Sequence, residues 1–199
     1  MKYIVTAVAF FLIAGNSFGQ STWKAAGYTQ GEYRKVMILA KISDGLTQRQ
    51  VEDATIKQLQ SKGVVAIAAY NSIIAADTAN EQSFMAKIDL LEVDALIVYS
   101  VLGKEVEYNN SPSVNMSVGV PVRFGIFGGF LGTNVPLAGG TRATDIVNGR
   151  AVFYTRASKD MQWSTALSGK LNKGTEKLAA QIAKTTVKAM WADKLFISK

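Results

Sequence analysis

Few residues in this chain have the type and spacing for acid–base or covalent chemistry. Glu105 and Glu107 would share one face of a strand, and Asp89, Glu92 and Asp94 cluster just ahead of it. Paired carboxylates suit general acid–base catalysis or a hard cation such as Ca2+. Yet Lys104-Glu105-Val106-Glu107 alternates as a solvated strand end does, and that plainer reading is the expected one. Ser21-Thr22-Trp23-Lys24 has the Ser-x-x-Lys spacing in which a lysine amine serves a serine nucleophile. It lies in a polar lead-in and lacks the companion motifs, so it is discounted. The 199 residues contain no His and no Cys. Imidazole and thiolate catalysis, Cys/His metal sites and disulfides are therefore excluded. The run GIFGGFLG at 125–132 has neither the Lys nor the following helix of a phosphate-binding loop. No enzyme, cofactor or metal is expected.

Charge points to binding instead. The formal charge is +7, but residues 20–149 are close to neutral and residues 150–199 carry a net +7. A last helix is predicted from about Thr175 to Ala192. At about 100° per residue, Lys173, Lys177, Lys184, Lys188 and Trp191 fall on one stripe about 60° wide. Leu178, Ile182, Thr185 and Ala189 fall on another face, suited to a core. The plain reading is a solvated lysine face with a Trp packed at the helix end, and lysines late in a helix also suit its dipole. The functional reading is a docking face for an anionic partner: an acidic protein, or phospholipid or lipopolysaccharide headgroups.

A second unusual surface precedes this helix. Val114, Met116, Val118, Val120, Val122, Phe124 and Ile126 occupy every second position. Such alternation predicts a strand with one apolar face. Gly128-Gly129 reads as a turn, and Leu131, Thr133, Val135 and Leu137 continue a weaker alternation. The segment 113–138 thus reads as a Gly-rich β-hairpin. Its apolar face has three readings: it covers the domain's own sheet, packs on a partner or a second copy, or inserts into a bilayer within an oligomeric barrel.

The elements that must carry these surfaces read as α/β. Val36 to Ala40 is a short buried strand. Thr47-Gln48-Arg49-Gln50 has the form of a capping box for a helix running to about Ser61, with Gly63 as its C-terminal glycine. Val64 to Tyr70 reads as a second strand, Asn80 to Leu91 as a second helix, and Ala95 to Tyr99 as a third strand extending through Val106. This β-α-β-α-β order predicts a single mixed sheet with helices packed on it and right-handed crossovers. Arg150 to Thr155 and Met161 to Leu171 form a hairpin carrying Phe153 or Tyr154 and Trp163, and the last helix closes the chain. One domain is expected over 34–199, with 20–33 as an extended lead-in and 109–149 as the hairpin insert.

Residues 1–19 read as a secretory signal peptide. Lys2 is followed by the uncharged run from Ile4 to Ala14, and Ser17 and Gly19 are the small residues before a cleavage site at Gln20. Eleven residues fall short of the roughly 20 that a spanning helix needs. No Cys follows the site, so a lipid anchor is not expected. The mature chain is expected in the periplasm or outside the cell, where nucleic acid is not a partner.

With KVMILAKI, RQVEDATIKQLQSKG, VVAIAAY, LLEVDALIVYSV, RAVFYTRASKDMQWS and LAAQIAKTTVKAM in this order, the chain resembles small bacterial envelope proteins, many of them lipoproteins. These are related in fold to the curli-secretion component, the penicillin-binding-protein activator lipoproteins and the N-terminal domain of the Tol translocation protein. Within the resemblance, Glu52-Asp53, Leu59, Gly63 and Ala66 precede the second strand, and Trp163-Ser164 ends the hairpin. The resemblance implies a non-catalytic binding or assembly role at the envelope. The partner would be an envelope protein, an anionic envelope component or a second copy of the chain, with peripheral membrane contact. It also implies an alternative, a membrane-associated oligomer subunit that inserts the hairpin.

Overall fold

The computed structural model describes residues 22–108, 119–122, 129–132 and 143–197. Six strands form one mixed sheet: β1 (Thr22–Lys24), β2 (Val36–Lys41), β3 (Ala66–Ala68), β4 (Ala95–Tyr108), β7 (Ala143–Thr155) and β8 (Ser158–Lys170). Across the sheet their order is β1-β8-β7-β4-β2-β3. β2 runs parallel to β3 and β4, while β4, β7, β8 and β1 pair antiparallel. A separate two-stranded ribbon joins β5 (Gly119–Val122) to β6 (Gly129–Gly132). Helices α1 (Gly45–Gln60), α2 (Glu81–Leu90) and α3 (Thr175–Ala192) complete the fold.

Alternation along the strands divides the helices between the two sheet faces. Val36, Ile38, Ala95, Ile97, Phe153 and Trp163 pack with Val51 and Leu59 of α1 and with Ala179, Val187 and Met190 of α3. Met37, Leu96 and Val98 turn the other way, onto Phe84 and Ile88 of α2. Central strands buried on both faces explain why Val36 to Ala40 has no polar alternation. The hairpin sets Phe153 directly opposite Trp163, both fully buried.

The expected mixed α/β architecture is present, with six local corrections. Asp44, not Thr47, caps α1: its carboxylate accepts from the Thr47 amide at 2.9 Å, so the helix starts three residues earlier than expected. A carboxylate so placed serves the free amides of a helix start well. β3 is only Ala66–Ala68, because the Tyr70 amide donates to the Glu52 carboxylate at 3.0 Å and the chain turns into a 3-10 helix over Ala69–Asn71. β7 begins at Ala143, not Arg150, because β4 runs on to Tyr108 and its outer half needs a partner. Residues 143–149, assigned above to the insert, therefore belong to the main sheet. β8 runs from Ser158 to Lys170, starting three residues before the expected Met161 because Ser158 already pairs with Thr155, and ending one residue early as the chain turns at Leu171–Lys173.

Gly129, expected to be half of the hairpin turn, is instead the first residue of β6 and pairs with Val122, while Gly128 lies outside the described residues. Glycine permits a turn without requiring one, and here it sits within a strand. Lys173 lies in the 3-10 turn Leu171–Lys173, before Gly174 takes φ +86° and α3 begins, so it is not on the helix. Two other expected helix boundaries agree with the structure. Gly63 takes φ +79° and lets the Val64 amide reach Leu59 O at 3.1 Å. Asn80 caps α2 by accepting from the Ser83 amide at 2.8 Å. Among the described residues, no helix is long and apolar enough to cross a membrane.

Candidate functional site: the basic face of the third helix

α3 is fixed by the side it buries. Leu178, Ala179, Ala183, Thr186, Val187, Ala189 and Met190 face the sheet and α1. Gly169 of β8 leaves room for Leu178, whose Cδ1 a Cβ there would meet. The opposite side carries Lys177, Lys184 and Lys188, all exposed. None of them forms an ion pair with a described carboxylate. Lys173 is exposed just ahead of the helix. Trp191 departs from the stripe in role: its ring stacks on Phe196 at 4.6 Å, with 15° between planes, and packs against the core. Of the expected core positions, Leu178 and Ala189 are buried, whereas Ile182 and Thr185 lie half-buried at the margin.

The apolar hairpin positions are less fully placed. Val120 and Val122 lie on β5, opposite Leu131 and Gly129 of β6. Val114, Met116, Val118, Phe124 and Ile126 lie outside the described residues, as do residues 1–19 and Ser21.

Glu105 and Glu107 lie two apart on β4, opposite Ile146 and Thr144, and the acidic residues ahead of the strand do not converge. Asp89 pairs with Arg156 at 2.8 Å. Asp94 accepts from the amides of Arg34 and Lys35 at 2.7 and 3.0 Å, tying β4 to the start of β2. Glu92 ends α2 with φ +53°. Between β4 and β7, Lys104 pairs with Asp145 at 2.7 Å. Lys24, the amine of the Ser-x-x-Lys motif, donates to Asp193 O at 2.9 Å. Among the described residues no group of three Asp or Glu side chains is placed to hold a metal ion.

No protein-family model matches the chain, and no curated protein does. Similar solved structures do exist. One is a single-substitution variant of the PelC dodecamer from Paraburkholderia phytofirmans, 12% identical with a TM-score of 0.48, covering 91% of this chain and 100% of that one. The lipoprotein GNA1162 from Neisseria meningitidis is 13% identical with a TM-score of 0.41, covering 79% of this chain and 98% of that one. The hypothetical protein CT253 from Chlamydia trachomatis is 11% identical with a TM-score of 0.41, covering 83% of this chain and 95% of that one.

Two structural groups escape a reading of the sequence. Glu52 is wholly buried, and its carboxylate accepts from the amides of Ala40 and Tyr70 at 3.0 Å each and from Gln48 Nε2 at 3.1 Å. Burial raises its pKa above the ordinary carboxylate value, against the pull of those hydrogen bonds. Tyr28 and Tyr33 join hydroxyls at 2.6 Å, and Tyr28 also donates to Leu195 O at 2.7 Å. In each group a partner distant in the chain, Tyr70 for Glu52 and Leu195 for Tyr28, is what the sequence does not mark.

Proposed function

We propose that the chain is an exported, non-catalytic binding or assembly protein of the bacterial cell envelope. The single observation behind this reading is the face of α3. It presents Lys177, Lys184 and Lys188 exposed and without ion-pair partners among the described carboxylates, while Asp89 and Asp94 are committed to structural contacts. The signal-peptide layout of residues 1–19 and the resemblance to envelope proteins of the curli-secretion and Tol type support the same reading. The partner is an envelope protein or an anionic envelope component. Fractionation of cells producing the full chain tests it. The processed protein is expected with the envelope and released by a high-salt wash, because attraction between exposed charges is screened by salt. Recovery only from the soluble fraction, before any salt, overturns it.

A second reading is favoured by one observation, the antiparallel pairing of β5 with β6 inside the segment 113–138. In it, the chain is a subunit of a membrane-associated oligomer that inserts this hairpin. Retention through salt with release only by detergent selects this reading and discards the first.

A further inference from the structure

The sheet separates two layers of unequal charge. α1 and α3 pack side by side on one face, and α2 lies on the other. The α1–α3 layer exposes Arg49, Lys57, Lys177, Lys184 and Lys188 against only Asp53 and Glu176 on the same two helices. Among the described residues none of these five cations has a carboxylate within ion-pair distance. The α2 layer differs. Its acidic groups are partly neutralised in place, Asp77 by Lys87 at 3.7 Å and Asp89 by Arg156 at 2.8 Å.

We propose that the α1–α3 layer docks on an anionic phospholipid surface, with α2 turned away from the bilayer. The proposal rests on the envelope-binding reading and narrows its anionic partner to lipid. Three features favour lipid. The charge is spread over two helices as mostly lysine ammoniums on flexible stems, which suits a diffuse field more than the bidentate pairing of a protein site. Among the described residues of α1 and α3 the one aromatic, Trp191, stacks on Phe196, so the layer offers no aromatic anchor of the kind protein interfaces depend on. The α2 layer is the less suited face for a second copy to offer, since Asp77 and Asp89 are already paired there.

Co-sedimentation of the purified protein tests this with vesicles of phosphatidylglycerol mixed with phosphatidylcholine, against phosphatidylcholine alone. Binding is expected only to the mixed vesicles and is expected to weaken with salt. Each of Lys177→Gln, Lys184→Gln, Lys188→Gln and, on α1, Lys57→Gln is expected to weaken it roughly fivefold. The α1 variant separates a two-helix layer from a stripe on α3 alone. The combined Lys177→Glu, Lys184→Glu, Lys188→Glu variant is expected to abolish binding with an unchanged circular dichroism spectrum. Should it fail to fold, the single glutamine variants carry the test. Equal binding to phosphatidylcholine alone, or binding unmoved by the lysine changes, overturns the proposal. So does self-association without vesicles that the triple variant abolishes, which selects the second copy. If the protein ignores mixed vesicles yet is still released from the envelope by salt, the lipid proposal falls and the envelope-binding reading stands. If neither occurs, both fall.

Discussion

At Glu52 the surrounding water of an ordinary carboxylate is replaced by two backbone amides and the side-chain amide of Gln48. The amides belong to the end of β2 and to the 3-10 turn after β3, so one side chain on α1 joins three segments. Burial still dominates and raises the pKa above its ordinary value of 4.5. The sign follows from proton binding. Between about pH 4.5 and the higher folded value, the folded chain binds the proton more tightly than the unfolded chain. Glu52 therefore makes stability fall as pH rises through that window. Urea melts across the window are expected to show this slope in the native chain and to lose it in Glu52→Gln. Glu52→Ala leaves the Ala40 and Tyr70 amides without acceptors and is expected to cost ~1–3 kcal/mol for each. A variant as stable as the native chain would mean that water replaces the carboxylate there. The lysines of α3 make the opposite case, since exposed charges without partners contribute little to stability. Their glutamine variants are expected to melt within about 0.5 kcal/mol of the native chain.

Elements differ in how much of them can be read from their own residues. α3 is legible end to end, because an apolar face and a flanking glycine are local properties. Asn80 and Gly63 likewise announce the start of α2 and the end of α1. The start of α1 is easily misread because Asp44 and Thr47 are both good caps, and the choice depends on how β2 delivers the chain. The lower half of β7 escapes notice because Ala143 to Gly149 has no strong pattern of its own, and β4 recruits it as a partner. The candidate site is half legible. The α3 lysines follow from helical spacing, but Arg49 and Lys57 join them only because α1 and α3 share a sheet face. Trp191 falls on the stripe by angle alone, whereas its partner Phe196 lies beyond the helix. Gly149 gives the β4–β7 pairing a direct test. The register shifts between Val101 and Gly103, opposite Gly149, where a Cβ would stand 2.8 Å from Ser100 O. Backbone atoms cannot swing aside as a side chain can, so Gly149→Ala is expected to cost ~1–3 kcal/mol in a chemical melt. An alanine tolerated without loss would show that the two strands pair more loosely than this contact implies.

Across the whole molecule, the first and last described segments hold each other. The lead-in, expected only to be extended, adds β1 to the edge of β8 and then crosses to the C-terminal tail. Gly31 bridges to Phe196, Gln30 Nε2 donates to Phe196 O, and Tyr28 donates to Leu195 O. Asp193 accepts from the buried Trp163 indole at 2.6 Å, and its carbonyl accepts from Lys24. Phe196 lies among Tyr33, Phe153 and Trp191, with ring centroids 5.5, 5.7 and 4.6 Å away. The clasp is therefore an aromatic cluster fastened by hydrogen bonds from the other end of the chain. Phe196→Ala empties the centre of that cluster and is expected to cost ~3–5 kcal/mol, a large share of the roughly 5–15 kcal/mol that holds a domain folded. The loss is expected at both ends at once: trypsin should cut after Arg34 in the lead-in and after Lys194 in the tail of the variant under conditions that spare the native chain. Strong alkali should act at the same place. Burial, then the bond to Tyr33, push the Tyr28 hydroxyl above its usual value of 10.0, so its ionisation favours the unfolded chain and stability falls as pH rises past that value. Tyr28→Phe removes that ionisation along with the bond to Leu195 O, so it is expected to start about 1 kcal/mol lower and to decline less steeply in alkali. If Phe196→Ala melts with the native chain and trypsin cuts both alike, the lead-in is held by β8 alone and the clasp contributes nothing.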